Sequence, residues 1–289
     1  MYKNEIFFSI IIPTFNREKS LLRAVDSVIN QTFDRWELII IDNFSNDNTE
    51  HVIKELKSNK INFYQIKNDG VIAKSRNFGI KKSKGKFLSF LDSDDWWETC
   101  KLESVHKKAL VGYDFIYHNH RIYNPKKLYK TRNIRTFHYK KPIYQNLIDQ
   151  GPSFATSSVT LNKNTFKKIN FFNEDKNYIA WEDWDAWIQF SKHSEKFIRL
   201  KKNLSTITQD GSNMLNDSLR IKNNSLFINK YLEVSKTIPN WCIYSNLISS
   251  YNLSIVDKVK KNLKVLNFSK LNILQKIRYL QIYIHYLLK

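Results

Sequence analysis

Phe87-Leu88-Ser89-Phe90-Leu91-Asp92-Ser93-Asp94-Asp95 is an apolar run that ends in three carboxylates within four residues. Five apolar or small residues, Phe87 to Leu91, preceded by Lys86 and closed by acids, read as a buried strand over 86–91. On an extended chain residues i and i+2 point the same way, so Asp92 and Asp94 are expected to project together beyond the strand's end. Carboxylates with open positions suit magnesium or manganese holding a substrate phosphate. The competing reading is local, since acids after a strand also cap a helix or bend the chain, and of the three Asp95 fits a cap best. A calcium-binding EF-hand loop starting at Asp92 is excluded, because its fifth and sixth places would be Trp96 and Trp97, where an oxygen ligand and glycine are needed.

Working outward, apolar runs at 7–12, 37–41, 61–66 and 86–91 alternate with helix-period segments at 18–30, 48–57, 71–82 and 97–109. Strands alternating with helices of this length predict right-handed βαβ units, hence an α/β fold with a mostly parallel, Rossmann-like sheet flanked by helices. In open sheets of this kind ligands sit beyond the carboxyl ends of the strands. The unusual residues fall there: Pro13-Thr14-Phe15-Asn16-Arg17, Asp42-Asn43, Asn68-Asp69-Gly70 and Asp92-Ser93-Asp94-Asp95. Beyond residue 114 the alternation weakens. Strands are expected at 114–118, 157–161 and 196–200, and helices at 142–149, 182–193 and 215–233. The chain reads as one catalytic domain over 1–235, with a donor half (1–98) and an acceptor half (99–235), followed by a basic amphipathic helical region over 236–289. There Leu271, Leu274, Ile277, Leu280, Ile284 and Leu287 form an apolar stripe at helical spacing. Such a stripe either packs on protein or lies in a membrane interface, and its flanking lysines and tyrosines suit the second.

Charge narrows the partners. Residues 1–100 carry 15 basic and 14 acidic side chains, whereas the remainder carries 32 and 13. A neutral first part and a strongly basic second part predict a polyanionic partner or an anionic membrane surface. Zinc-finger spacing, basic-region heptads and RNP-like aromatic motifs are missing from the sequence, so nucleic acid is not the expected partner. Cys100 and Cys242, far apart and without metal spacing, fit a reducing compartment, and no apolar run approaches eighteen residues. The expected location is the cytoplasm, with peripheral contact at the cytoplasmic face of the inner membrane.

Six pieces in order carry a resemblance. They are Ser9-Ile10-Ile11-Ile12-Pro13-Thr14-Phe15-Asn16-Arg17, Ala24-Val25-Asp26-Ser27-Val28, Trp36-Glu37-Leu38-Ile39-Ile40-Ile41-Asp42, Asp47-Asn48-Thr49, Arg76-Asn77-Phe78-Gly79, and the run from Gly85 to Asp95. This stretch resembles the nucleotide-sugar half of inverting family-2 glycosyltransferases with the GT-A fold, as in bacterial O-antigen and capsule synthesis. Trp181-Glu182-Asp183-Trp184-Asp185 resembles the acidic motif that carries the family's catalytic base. The resemblance implies that Asp94 contacts a Mn2+ or Mg2+ ion directly and Asp92 through water or the ribose. It implies that Pro13, Thr14, Asp42, Arg76, Asp92 and Ser93 bind the donor nucleotide, with Thr14 and Asp42 on the uridine, and that Asp183 deprotonates the acceptor. Glu182 and Asp183 are helical neighbours whose side chains diverge, so only one of them should face the sugar. The chain departs from many relatives in two places: Asp42-Asn43-Phe44-Ser45 stands where two aspartates and Gly-Ser are usual, and Gln209 stands where a histidine is usual.

The expected activity is transfer of a hexose, glucose or galactose, from a UDP-sugar to a lipid-diphosphate-linked or polysaccharide acceptor, forming a β-linkage. Two other classes compete. A sugar-phosphate nucleotidyltransferase would want a glycine-rich loop after the first strand, where Pro13-Thr14-Phe15-Asn16-Arg17 has none. A non-enzymatic polyanion-binding protein would use the basic half alone.

Overall fold

Every residue of β1 (Phe8–Thr14) and β2 (Trp36–Asp42) is buried, the pattern of parallel strands covered on both faces. The computed structural model describes residues 5–210 and 217–235, with 239, 241 and 242. The chain divides into two units, 1–138 with 153–212 and 139–152 with 213–289. The first unit continues from β1 through α1 (Glu18–Ile29), β2, α2 (Thr49–Glu55), β3 (Ile61–Gln65), α3 (Ile72–Lys82), β4 (Phe87–Phe90), β5 (Trp96–Trp97), α4 (Lys101–Leu110), β6 (Phe115–Tyr123) and β7 (Thr131–Ile134). After α5 (Ile143–Gln150), which belongs to the second unit, come a 3-10 turn at Thr156–Ser158, β8 (Val159–Asn162), α6 (Lys163–Lys167), α7 (Glu182–Ser191) and β9 (Phe197–Thr208).

Among the described residues the first unit holds a nine-stranded sheet in the order β3-β2-β1-β4-β8-β6-β9-β5, with β7 beside β6. The four strands from β3 to β4 are parallel, and β8 joins β4 antiparallel. Beyond it β6 and β9 run parallel, with a bulge around Asn119. Helix α1 buries Leu21, Ala24, Val25 and Val28, one face at helical spacing. Two glycines beside the parallel strands are fixed by close approach: a Cβ on Gly79 would lie 2.7 Å from Ile41 Cδ1, and one on Gly85 would lie 2.6 Å from the Ser9 backbone nitrogen. The Gly85 N–H donates to Ser9 Oγ (2.8 Å), which in turn donates to the buried Glu37 (2.7 Å). This small polar knot ties together three stretches that are separate in sequence, around Ser9, Glu37 and Gly85.

In the second unit α5 packs with α8 (Asp217–Ser235). Trp241 Nε1 donates to the Ile148 carbonyl (2.9 Å), and its ring meets Phe227 edge-on at 4.7 Å. Gly151, at φ 75°, sits where a Cβ would be 2.5 Å from the Trp241 ring, so two constraints select glycine there.

Three expectations need correction. The helix expected at 97–109 begins at Lys101, because Trp96 and Trp97 pair antiparallel with Thr206 and Ser205 of β9. The strands expected at 114–118 and 196–200 extend to Tyr123 and Thr208, since each finds a partner in the other. Strand β7 and helix α6 were not anticipated. The apolar stripe of 271–287 lies outside the described residues.

Candidate active site

Thr14 and Asp42 end β1 and β2 and stand opposite each other in parallel register. Asp42 is completely buried. Its carboxylate accepts from the Ser45 N–H (2.9 Å), the Ser45 hydroxyl and Gln65 Nε2 (3.1 Å), which leaves about one of its four acceptor sites open. Thr14 Oγ1 is buried without a hydrogen-bond partner among the described residues. A buried hydroxyl left unpaired costs free energy, so this atom suits a polar ligand group. The two loops that follow hold one another: the Asn16 N–H donates to Ser45 Oγ (2.8 Å), and the Asn46 N–H to Asn16 Oδ1 (2.8 Å). Phe44 adopts φ 56° and is half exposed. This is left-handed backbone at a residue other than glycine, which adopts it freely.

The acidic run is built differently from its sequence reading. Strand β4 stops at Phe90, and Asp92 to Asp95 form a tight turn closed by the Asp95 N–H on the Asp92 carbonyl (3.0 Å). Alternation along a strand therefore does not bring Asp92 and Asp94 together; the turn does. The expected cap, Asp95, caps nothing. It is buried and accepts from Ser157 Oγ (2.6 Å) and the Thr208 N–H (2.8 Å). Ser157 Oγ also accepts from the Asp92 N–H (3.0 Å), so one serine of the 3-10 turn ties both ends of the acidic turn. Below it Arg23 Nη2 donates to the Asp94 carbonyl (2.6 Å) and to Thr208 Oγ1 (3.2 Å), with its guanidinium 3.9 Å over the Trp96 ring.

Electrostatically the turn favours a cation. Burial and the neighbouring Asp92 charge push the Asp94 carboxyl above the ordinary range, against the pull of Arg17 at 3.8 Å. Burial, with Asp92 and Asp94 beside it, raises Asp95 further. The side chains of Asp92 and Asp94 keep 33% and 21% of their surface exposed, so an ion could reach them. Among the described residues no group of three His, Cys, Asp or Glu forms a closed cage. Two accessible hard oxygen donors in a field that penalises their charge fit a divalent cation completed by substrate oxygens.

Arg76 joins this turn to the rest of the site. Its side chain, 4% exposed, forks from α3 to Asp92 Oδ1 (2.8 Å) and Glu182 Oε1 (2.7 Å). Burial alone would lower its pKa; Asp92, Glu182 and Asp183 outweigh that and raise it, so the guanidinium stays charged. Beside the donor contact expected of it, Arg76 orients two acids. Glu182 is thereby turned inward, and burial raises its pKa despite the arginine. Its neighbour Asp183 diverges, as adjacent helical residues must, and accepts from Thr156 Oγ1 (2.6 Å). Pro13 and Ser93 are buried beside these groups in sequence, and Gln209 is exposed with its N–H on the Tyr123 carbonyl (2.8 Å). Sequence reasoning missed Arg23, Thr156, Ser157 and Thr208. The polar triplet Thr156-Ser157-Ser158 directly before an apolar strand was a legible signal; Arg23 offered none.

The parallel strands β3-β2-β1-β4, the antiparallel return through β8 and the acidic turn at the end of β4 are those of a GT-A fold. The chain belongs to glycosyl transferase family 2, whose model matches residues 9–170. This makes it a glycosyltransferase and sets aside the nucleotidyltransferase and non-enzymatic readings. Over 248 residues it is 25% identical to UDP-Glc:alpha-D-GlcNAc-diphosphoundecaprenol beta-1,3-glucosyltransferase WfgD of Escherichia coli, covering 86% of this chain and 88% of that one. Over 206 residues it is 34% identical to poly(ribitol-phosphate) beta-N-acetylglucosaminyltransferase TarP of Staphylococcus aureus, covering 62% of each. Its fold matches S. aureus TarS 1-349 in complex with UDP-GlcNAc with a TM-score of 0.63 at 18% identity, over 97% of this chain and 81% of that one. No helix of the described residues is long and apolar enough to cross a membrane.

Proposed function

We infer that the protein is a metal-dependent, inverting hexosyltransferase that moves glucose or galactose from a UDP-sugar to a lipid-diphosphate-linked saccharide or a polysaccharide, in O-antigen or capsule assembly. The observation that carries this reading is the Arg76 fork, which ties Asp92 of the acidic turn to the residue immediately before Asp183. Leaving-group and base chemistry then share one rigid frame. Relatives that use UDP-glucose and a diphosphoundecaprenol-linked acceptor support the donor and acceptor classes.

In this scheme Thr14 and Asp42 take the uracil edge, the unpartnered Thr14 hydroxyl gaining a partner, with Pro13 and Ser93 shaping the same wall. Asp94 and Asp92 would hold Mn2+ or Mg2+, whose charge offsets that of the departing diphosphate. Arg76 holds Asp92 in position. Asp183, oriented by Thr156, accepts the proton of the acceptor hydroxyl as its oxygen attacks the anomeric carbon. One displacement breaks the bond to the diphosphate and turns an α-donor into a β-product. The catalytic domain is proposed to run to about residue 235.

Calorimetric titration of UDP with and without manganese, on wild type and Asp94→Ala, tests the donor site; metal-dependent binding that the substitution abolishes is expected. UDP-sugar turnover on a diphosphate-lipid acceptor, lost in Asp183→Asn with UDP binding retained, tests the base. A folded wild type that binds no UDP with manganese present refutes the assignment.

A further inference from the structure

The hairpin of β6 and β7 ends in an apex that the chemistry of transfer does not use. Leu128 is 91% and Tyr129 86% exposed, although the loop that carries them is well formed. Its ends are closed by the Asn124 N–H on the Lys130 carbonyl (2.7 Å), and the Lys126 N–H donates to Asn124 Oδ1 (3.0 Å). Exposed Lys126, Lys127, Lys130 and Arg132 surround the pair, and no acidic residue occurs from 115 to 148. One exposed leucine is ordinary. An adjacent leucine and tyrosine at the tip of a braced hairpin that carries four cations and no acid of its own, with Asp210 meeting it only at Lys126, is a different object.

We propose that this apex is the element by which the enzyme docks on an anionic bilayer, Leu128 entering the boundary between headgroups and acyl chains and Tyr129 resting at headgroup level. Charge complementarity selects the occupant: the four cations match phosphate headgroups, and juxtamembrane Lys and Arg contribute additively to such binding. The apolar pair selects a bilayer over a soluble polyanion, which the cations would hold without help from an exposed leucine. Tyrosine is favoured at the membrane–water interface because one end of its ring is apolar and the other wet.

The hairpin's root lies in the candidate active site. Tyr123, last in β6, meets the Trp96 ring at 5.5 Å and accepts from the Gln209 N–H (2.8 Å). Lys126 Nζ reaches the Asp210 carbonyl (2.8 Å), and Thr208, two residues earlier, donates to the Asp94 carbonyl. A docked apex therefore fixes the acidic turn relative to the membrane surface, where a lipid-linked diphosphate would be presented. The inference deepens the proposed acceptor class, yet vesicle binding requires no donor, metal or acceptor and is read independently of it.

The test is co-sedimentation of the full chain with vesicles of phosphatidylcholine alone and of phosphatidylcholine mixed with phosphatidylglycerol. The variants are Leu128→Asp with Tyr129→Asp, and separately Lys127→Glu with Lys130→Glu. Wild type is expected to bind the mixed vesicles and not the neutral ones, and each pair of substitutions to weaken that binding by about tenfold or more. Melting temperature and manganese-dependent UDP binding should stay at wild-type values, since neither pair touches the acidic turn. Undiminished vesicle binding by the Leu128–Tyr129 variant overturns the proposal, whether the charge alone or the region beyond residue 235 then carries the contact. Wild type that ignores anionic vesicles while binding UDP overturns it too, and leaves the transferase reading standing.

Discussion

Replacing Arg76 by methionine removes the one cation between two acids and keeps the volume of the side chain. The bond to Glu182 is a charge-assisted contact of 2.7 Å between side chains 4% and 6% exposed, worth about 2–3 kcal/mol when the partner is left buried and unpaired. The bond to Asp92, whose side chain is one-third exposed, is screened by solvent and counts for about 1–2 kcal/mol. Together Arg76→Met should destabilise the fold by about 3–5 kcal/mol, or on the order of 10 °C in melting temperature for a unit of this size. Adding Glu182→Gln removes the stranded charge and should recover about half of the loss, a coupling that a double-mutant cycle in urea reads directly. Arg76→Lys should recover less, because an ammonium cannot fork to two carboxylates as a guanidinium does. A loss under about 1 kcal/mol, or additive effects of the two substitutions, would refute the claim that this pair frames the site.

Asp94→Asn should raise the melting temperature of the metal-free protein at neutral pH. A carboxyl whose folded pKa is raised contributes stability present at low pH and lost as pH rises through that pKa, so the advantage of the variant should vanish in acid. Manganese at a hundred times its dissociation constant should stabilise wild type by about 2.7 kcal/mol and the variant hardly at all; equal shifts in differential scanning fluorimetry would exclude Asp94 as a ligand. Lys101 is completely buried, its Nζ 3.1 Å from the Trp97 ring centre and without a hydrogen-bond partner among the described residues. Burial pulls its pKa well down, so stability should fall as pH drops and the amine is forced to ionise. Lys101→Met should flatten that dependence and stabilise the protein at neutral pH, and an unchanged pH–stability curve would contradict the assignment.

The sequence by itself determined the parallel block of the sheet, β3-β2-β1-β4. Contiguous apolar runs such as Ile10-Ile11-Ile12 and Leu38-Ile39-Ile40-Ile41 become central parallel strands because each residue is buried on whichever face it points to, and their alternation with helices restricts the connections to a few right-handed orders. Thr14, Asp42 and Asp92 were legible as site candidates for the same reason, since they close those strands at the carboxyl edge. What tertiary structure alone decided has partners distant in the chain. Trp97 read as the start of a helix until β9, more than a hundred residues on, supplies the edge with which Trp96 and Trp97 pair. Asp95 read as a cap until Ser157 and Thr208 enclosed it. Arg76 read as a donor-binding residue, and only folding brings Asp92 and Glu182 to its two nitrogens. Periodicity reports only which face of an element is apolar; the polar contacts that select one geometry of the site form between elements, after the faces have met.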